Sequence, residues 1–214
     1  APSLPEKWVC LTFDDGPSKT TPAVLAALDS AGVHGTFFVV ATGYNEKYLP
    51  LLTQAAAAGH QIALHSASHE YSDIYRNSAA YWKDIALLKE RIAPYVDAES
   101  IRYLRFPGGS SNTVSNFNPG IMSRLTEALT DMGYKYFDWN VSSGDAGETT
   151  KTDVVISNIE SGCRGMKASV VLQHDIKDFS VNAVESVIIW GLQNGYTFRA
   201  LDMSSPDAHH GVNN

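Results

Sequence analysis

Two aspartates side by side at the end of an apolar run are the first residues in this chain that could do chemistry. Val9-Cys10-Leu11-Thr12-Phe13 stops at Asp14-Asp15, and Gly16-Pro17 follows as a turn pair. Apolar and β-branched residues ending at Gly-Pro read as a buried strand that stops in a turn. Neighbouring side chains at a strand end face different directions, so one carboxylate can bind a cation while the other handles a proton. The structural alternative is an Asp-rich turn, since Asp bonds readily to its own backbone. A second apolar run, Gln61-Ile62-Ala63-Leu64, ends at His65-Ser66-Ala67-Ser68-His69. Two histidines four apart share a face if the segment turns helically, a spacing one metal ion can bridge. With a carboxylate from the first segment they make three protein ligands, leaving positions open for water and substrate as a hydrolytic metal site requires. A mixed nitrogen and oxygen set suits zinc, and cobalt, nickel or iron fit the same ligands.

Two later segments add complementary groups. Arg105-Phe106-Pro107-Gly108-Gly109 follows a short apolar stretch, and Leu172-Gln173-His174 closes another. Arg105 could keep an aspartate ionised through a charge-assisted, bidentate contact, or serve as a structural salt bridge. Gly108 can bring its backbone N–H close to a ligand because it has no side chain, and an oxyanion needs such a donor. His174 is the natural general acid, because imidazole titrates near neutral pH; the structural alternative is a satisfied polar residue at a strand end.

Positioning these groups falls to an alternation of strands and helices. The pattern predicts strands near 8–13, 35–40, 61–64, 102–106, 135–140, 168–173 and 196–201. Helices are predicted near 20–31, 45–58, 78–96, 119–132, 152–162 and 180–194, several ending at a glycine such as Gly32, Gly59, Gly133 or Gly195. Repeated βα units imply a parallel sheet, and about seven of them favour a barrel over an open sheet. In such barrels the functional residues follow the C-terminal strand ends, and Asp14, Asp15, His65, His69, Arg105, Asp145 and His174 all do. His34 and His60 precede strands and read as structural, while Tyr75, Tyr81, Trp82 and Tyr95 read as packing. The segment from Met203 to Asn214 reads as a loose tail, with His209 and His210 in it.

Composition sets outer bounds. The 214 residues suit a single domain, 1–214, and 44% apolar content is enough for a full core. A net charge of −7 without a basic cluster argues against nucleic acid or an anionic membrane as the partner. No apolar stretch approaches the roughly 20 residues needed to span a bilayer. Cys10 and Cys163 are too few for a disulfide scaffold and read as two buried thiols rather than a bridge.

Thr12-Phe13-Asp14-Asp15-Gly16-Pro17, His65-Ser66-Ala67-Ser68-His69, Arg105-Phe106-Pro107-Gly108-Gly109 and Leu172-Gln173-His174, in this order, resemble the polysaccharide deacetylases, the NodB-like domains of carbohydrate esterase family four. The resemblance runs from about Val9 to about Leu201 and implies a distorted (β/α) barrel with seven or eight strands. It implies Asp15, His65 and His69 as ligands of a divalent metal, usually zinc, Asp14 as general base, Arg105 as the group orienting it and His174 as general acid. Leu172 would line the acetyl pocket, and Pro107 and Gly108 would face substrate. The family pattern also carries an Asp that tunes the acid histidine and an Asp-Trp pair that walls the pocket, and here the match is imperfect. Aligned on Val141, the tuning Asp becomes Ser142 and the Trp becomes Ala146, leaving Asp145 or Ser142 to hold His174, and Trp139 or Tyr136 to form the wall. Asp175 beside His174 and Ser66 beside His65 could support those histidines.

The implied activity is metal-dependent removal of N-acetyl groups from a β-1,4-linked N-acetylglucosamine polymer, peptidoglycan first, with chitin oligomers and acetylated xylan as alternatives. A non-catalytic glycan-binding barrel is the rival of another class. The expected enzyme is a monomer at the cell surface or outside the cell. The start at Ala1 rather than Met reads as a trimmed product.

Overall fold

The structure, a computed structural model, describes residues 6–214, so the expectation attached to Ala1 lies outside it. Its strands are β1 Lys7–Asp14, β2 Thr36–Val40, β3 Gln61–Ser66, β4 Tyr103–Leu104, β5 Lys135–Tyr136, β6 Val141–Ser142, β7 Ala168–His174 and β8 Tyr196–Phe198. They run across one sheet in the order β5-β4-β3-β2-β1-β7-β6, with β8 on β1, and every pairing is parallel. The helices are α1 Thr21–Ser30, α2 Leu51–Ala57, α3 Tyr71–Ile74, α4 Ser78–Ile92, α5 Ile121–Asp131, α6 Thr152–Cys163, α7 Asp178–Val181 and α8 Val184–Gln193. The result is a distorted (β/α) barrel: the alternation of elements predicts the barrel, and the family resemblance implies its distortion.

β1 is the hub. One of its edges pairs with β7 from Trp8 to Asp14, while the other is shared between β2 at Thr12–Asp14 and β8 at Lys7–Val9. Its side chains alternate with the period of two that a strand imposes. Val9, Leu11 and Phe13 join the large core with Val24, Leu25 and Leu28 of α1 and Val187 and Ile188 of α8. Trp8 and Cys10 join a smaller cluster with Phe38, Ala63, Phe137 and Val170, and the same alternation turns Thr12 and Asp14 to that inner side. Cys10 and Cys163 are buried and unpaired, Cys10 in the small cluster and Cys163 in the large one.

Three elements differ from the sequence reading. The strand expected over 135–140 is two short strands, β5 and β6, at opposite edges of the sheet. Phe137 N–H still donates to Leu104 beside β5, but Asn140 N–H donates to Val170 of β7, so four residues carry the chain across the barrel seam. The helix expected over 45–58 is one 3₁₀ turn, Glu46–Tyr48, followed by α2, with Pro50 at the break because it has no N–H to continue the ladder. The segment from Met203, expected to be loose, has no helix or strand, yet it is fastened at several points. His209 stacks on Tyr136 with ring centroids 3.7 Å apart, His210 N–H donates to Asp138 at 2.8 Å, and the Asn214 side chain accepts from Gly120 N–H at 2.7 Å. Polar composition cannot distinguish a solvated tail from one whose polar groups find partners. Among the described residues no helix is long and apolar enough to cross a membrane.

Candidate active site

The two aspartates and two histidines converge, though not through a helix. His65 is the fifth residue of β3, and His69 sits in the following turn with φ of 58°; Asp15 leaves β1 with φ of 72°. These are the only non-glycine residues with positive φ among those described, and each such residue costs on the order of 1–3 kcal/mol. The strain brings Asp15 Oδ1 to 3.4 Å from His65 Nε2 and 3.3 Å from His69 Nε2. Asp15 Oδ1 is buried and has no hydrogen-bond partner, an arrangement that costs free energy unless something fills it. His65 Nδ1 donates to the Arg105 carbonyl at 2.7 Å, which directs its other nitrogen to Asp15. Asp15, His65 and His69 are the one group of three metal-ligating side chains with donor atoms within 4.8 Å of one another among the described residues. Two imidazoles and one carboxylate, whose Oδ1 has no other partner, fit a divalent cation.

The three side chains are also electrostatically coupled. Burial pushes the Asp15 carboxyl up, but His65 first, then His69 and His174, outweigh it and hold it well below the usual carboxylate range. His65 is pushed down by burial and raised overall by Asp14 and Asp15, while His69 is lowered by burial and by the charge of His65.

Asp14 and His174 face each other across neighbouring strands. They are register partners in β1 and β7, so their side chains emerge at the same level of the barrel mouth. Arg105 is fully buried and donates from Nη1 to Asp14 Oδ1 at 2.7 Å and to Thr12 Oγ1 at 2.8 Å. The contact to Asp14 is single, not bidentate, because the remaining donors serve the seam: Nε reaches the Phe137 carbonyl at 2.9 Å and Nη2 the Asp138 carbonyl at 2.8 Å. Those carbonyls lie where the sheet has no next strand, and a lysine could not reach all four acceptors.

His174 is held by Asp145, not by Ser142. Nδ1 donates to Asp145 Oδ1 at 2.7 Å, and the His174 backbone N–H and the Ser180 hydroxyl both reach Asp145 Oδ2. Ser142 is exposed, its hydroxyl accepting from Gly144 N–H. Burial lowers the His174 pKa, yet the Asp145 bond and the charges of Asp14, Asp145 and Asp15 raise it overall. Asp145 itself is pushed up by burial and lowered overall by the same bond.

A cavity of about 420 Å³ opens over these groups, within the range of small-molecule sites. Leu172 lines it from β7, two residues before His174 and so on the same strand face. Trp139 and Gly108 form part of its wall, whereas Tyr136 is engaged with His209. Pro107 lies behind that wall: it is buried, and its carbonyl accepts from Tyr75 Oη at 2.7 Å. Tyr75, read from the sequence as packing, therefore also holds the Gly108 loop. Gly109 has φ of 83°, and a Cβ there would meet the Trp139 ring at 2.9 Å, so the ring lies over bare backbone.

Several contributors carry no motif signal. Tyr71, Ile176 and Lys177 line the cavity, and Asp138 takes the Ser110 N–H, the Ser110 hydroxyl and the His210 N–H. Their roles depend on neighbours distant in sequence. Asp175 does not touch the His174 ring; its carboxylate accepts from Thr21 Oγ1 and lies where a Gly16 side chain would be. Burial first, then the charges of Asp15 and Asp14, push its pKa up to about 7. His60 bonds to Asp29 and His34 stacks edge-on to His60, away from the cavity.

The geometry has known counterparts. The family model for polysaccharide deacetylase matches residues 1–137. The chain is 30% identical over 200 residues to a peptidoglycan-N-acetylglucosamine deacetylase of Bacillus cereus, covering 89% of this chain and 67% of that protein. It is 28% identical to a chitin deacetylase of Arthroderma benhamiae, covering 81% of this chain and 44% of that protein. Among solved structures, the catalytic domain of a peptidoglycan N-acetylglucosamine deacetylase from Eubacterium rectale superposes with a TM-score of 0.93 at 47% identity, over 100% of this chain and 96% of that one. This chain belongs to the polysaccharide deacetylase family.

Proposed function

We propose that the chain hydrolyses N-acetyl groups on a β-1,4-linked N-acetylglucosamine polymer, peptidoglycan in the first place, and that it does so outside the cytoplasm as a metal-dependent monomer. The observation that carries the reading is the pairing of Asp14 with His174 across β1 and β7, each with its own buried partner, on either side of the Asp15, His65 and His69 cluster. A divalent cation held by those three side chains, zinc above cobalt, nickel or iron, would polarise the acetyl carbonyl and acidify water.

The chain's own residues supply the rest. Asp14, oriented by Arg105, takes a proton from the attacking water as the new carbon–oxygen bond forms. Gly108 can offer its N–H to the developing oxyanion. His174, kept protonated by Asp145, gives its proton to the amide nitrogen as the carbon–nitrogen bond breaks, leaving acetate and a free amine. Leu172 and Trp139 provide apolar wall for the acetyl methyl group. Peptidoglycan is favoured because the Eubacterium rectale domain, 47% identical, is named for that substrate.

Acetate release from peptidoglycan, chitopentaose and acetylated xylan, each with and without chelator, tests the reading. Release from peptidoglycan that chelation abolishes is the expected result. Preference for chitopentaose or xylan would move the substrate. Glycan binding with no release from any of the three would leave a binding barrel.

A further inference from the structure

The turn that carries the two histidines is moulded by a residue outside every motif. Asp84 lies in the second turn of α4, 9% exposed, and its carboxylate accepts four hydrogen bonds from three consecutive residues between His65 and His69. Oδ2 takes the Ser66 hydroxyl at 2.6 Å and the Ala67 N–H at 2.8 Å; Oδ1 takes the Ser68 N–H at 3.0 Å and the Ser68 hydroxyl at 2.8 Å. Ser66 Oγ then accepts the His69 N–H at 2.8 Å, so the chain of bonds runs from Asp84 to the backbone of the second histidine. Continued as a strand, residues 65 to 69 would set their imidazoles about 13 Å apart, too far for one ion. The observed turn requires positive φ at His69 and leaves a cluster of donors needing one acceptor at its centre.

We propose that Asp84 is the positioning residue that sets the metal affinity of the His65 and His69 pair, by holding residues 66–68 in the conformation that brings both Nε2 atoms to Asp15. The assignment rests on the reading of Asp15, His65 and His69 as a metal site. Asp84 does not touch the site, and it acts through the turn. A role limited to packing α4 on β3 would change folding stability and leave the ligand geometry of the folded protein as it was.

Three measurements on the full chain separate these: zinc affinity by competition with a chromophoric chelator, the visible absorption of the cobalt-loaded protein, and the melting temperature of the metal-free protein. Asp84→Asn keeps the size but replaces an acceptor oxygen with an NH₂ group facing the turn's own donors. It should weaken zinc binding by roughly 10- to 100-fold, the usual effect of losing such a support, and alter the cobalt spectrum. Ser68→Ala removes one of the four bonds and should weaken zinc binding less, but by more than about threefold. Zinc affinity within threefold of the parent, with an unchanged cobalt spectrum, overturns the assignment even if the melting temperature falls. If Asp84→Asn does not fold, Ser68→Ala decides by the same threshold. A parent chain that binds neither ion overturns the metal reading itself, and this assignment with it.

Discussion

The mouth of the barrel contains two kinds of order. In the cluster of Asp15, His65 and His69, two of the three backbones are strained and one buried oxygen has no partner. In the pairs Asp14 with Arg105 and His174 with Asp145, all four residues avoid positive φ, and the paired carboxylate oxygens lie 2.7 Å from their donors. Strain with an unpartnered atom marks a place where the chain is shaped for something it does not itself supply. Relaxed pairs joined by short hydrogen bonds mark a place where the chain's own groups are held in fixed orientations. Under the proposed function, the same few ångströms separate the residues that would hold a cation from those that would move a proton.

Perturbing the two regions separately should break this contrast if it is wrong. Asp15→Ala should abolish acetate release and zinc binding together, and added zinc or cobalt should restore a chelated parent but not the variant. Asp14→Asn should lower kcat by about 10²- to 10⁴-fold, the usual contribution of a general base, while zinc affinity stays near that of the parent. If zinc binding collapses in Asp14→Asn, the division of labour between the two aspartates fails.

A smaller effect sharpens the acid side. The Asp145 bond is the foremost influence raising the His174 pKa, so its loss releases the imidazole proton at lower pH. With zinc saturating, Asp145→Asn should shift the alkaline limb of the kcat/KM profile to lower pH and reduce the rate at neutral pH by about tenfold or more. An unmoved limb would remove His174 from the acid role.

The smallest effect lies behind the Asp15 turn. Asp175 has a pKa of about 7 in the folded protein, above the roughly 3.9 of an unfolded carboxyl. A raised native pKa means that the native state binds the proton more tightly, so the stability it contributes is full below about pH 4 and lost as pH rises through about 7. Asn cannot ionise. The melting temperature of metal-free Asp175→Asn should therefore gain on that of the parent by a few degrees between pH 5 and pH 8, and a difference independent of pH would refute the shift.

Much of this was legible in the order of residues. The buried run of β1, the glycines after α1, α2, α5 and α8, and the ends of β1, β3 and β7 all follow from local composition and turn chemistry. The seam was not legible, since residues 135–140 have the pattern of one strand, and only the positions of Leu104 and Val170 divide it. Nor was the fate of the last residues, because His209, His210 and Asn214 look solvated until Tyr136, Asp138 and Gly120 are known to be beside them.

What the amino-acid sequence determined by itself was which chemical groups stand at strand ends and in what order, because a period of two and a turn signal are properties of adjacent residues. Only the tertiary structure decided that Asp145 rather than Ser142 holds His174, that Pro107 stays behind the wall, that Arg105 gives two of its four hydrogen bonds to the seam, and that Asp84 grips the histidine turn. Each of these is a hydrogen bond between residues 18 to 33 positions apart, and such bonds depend on how elements pack, a quantity that no local pattern encodes.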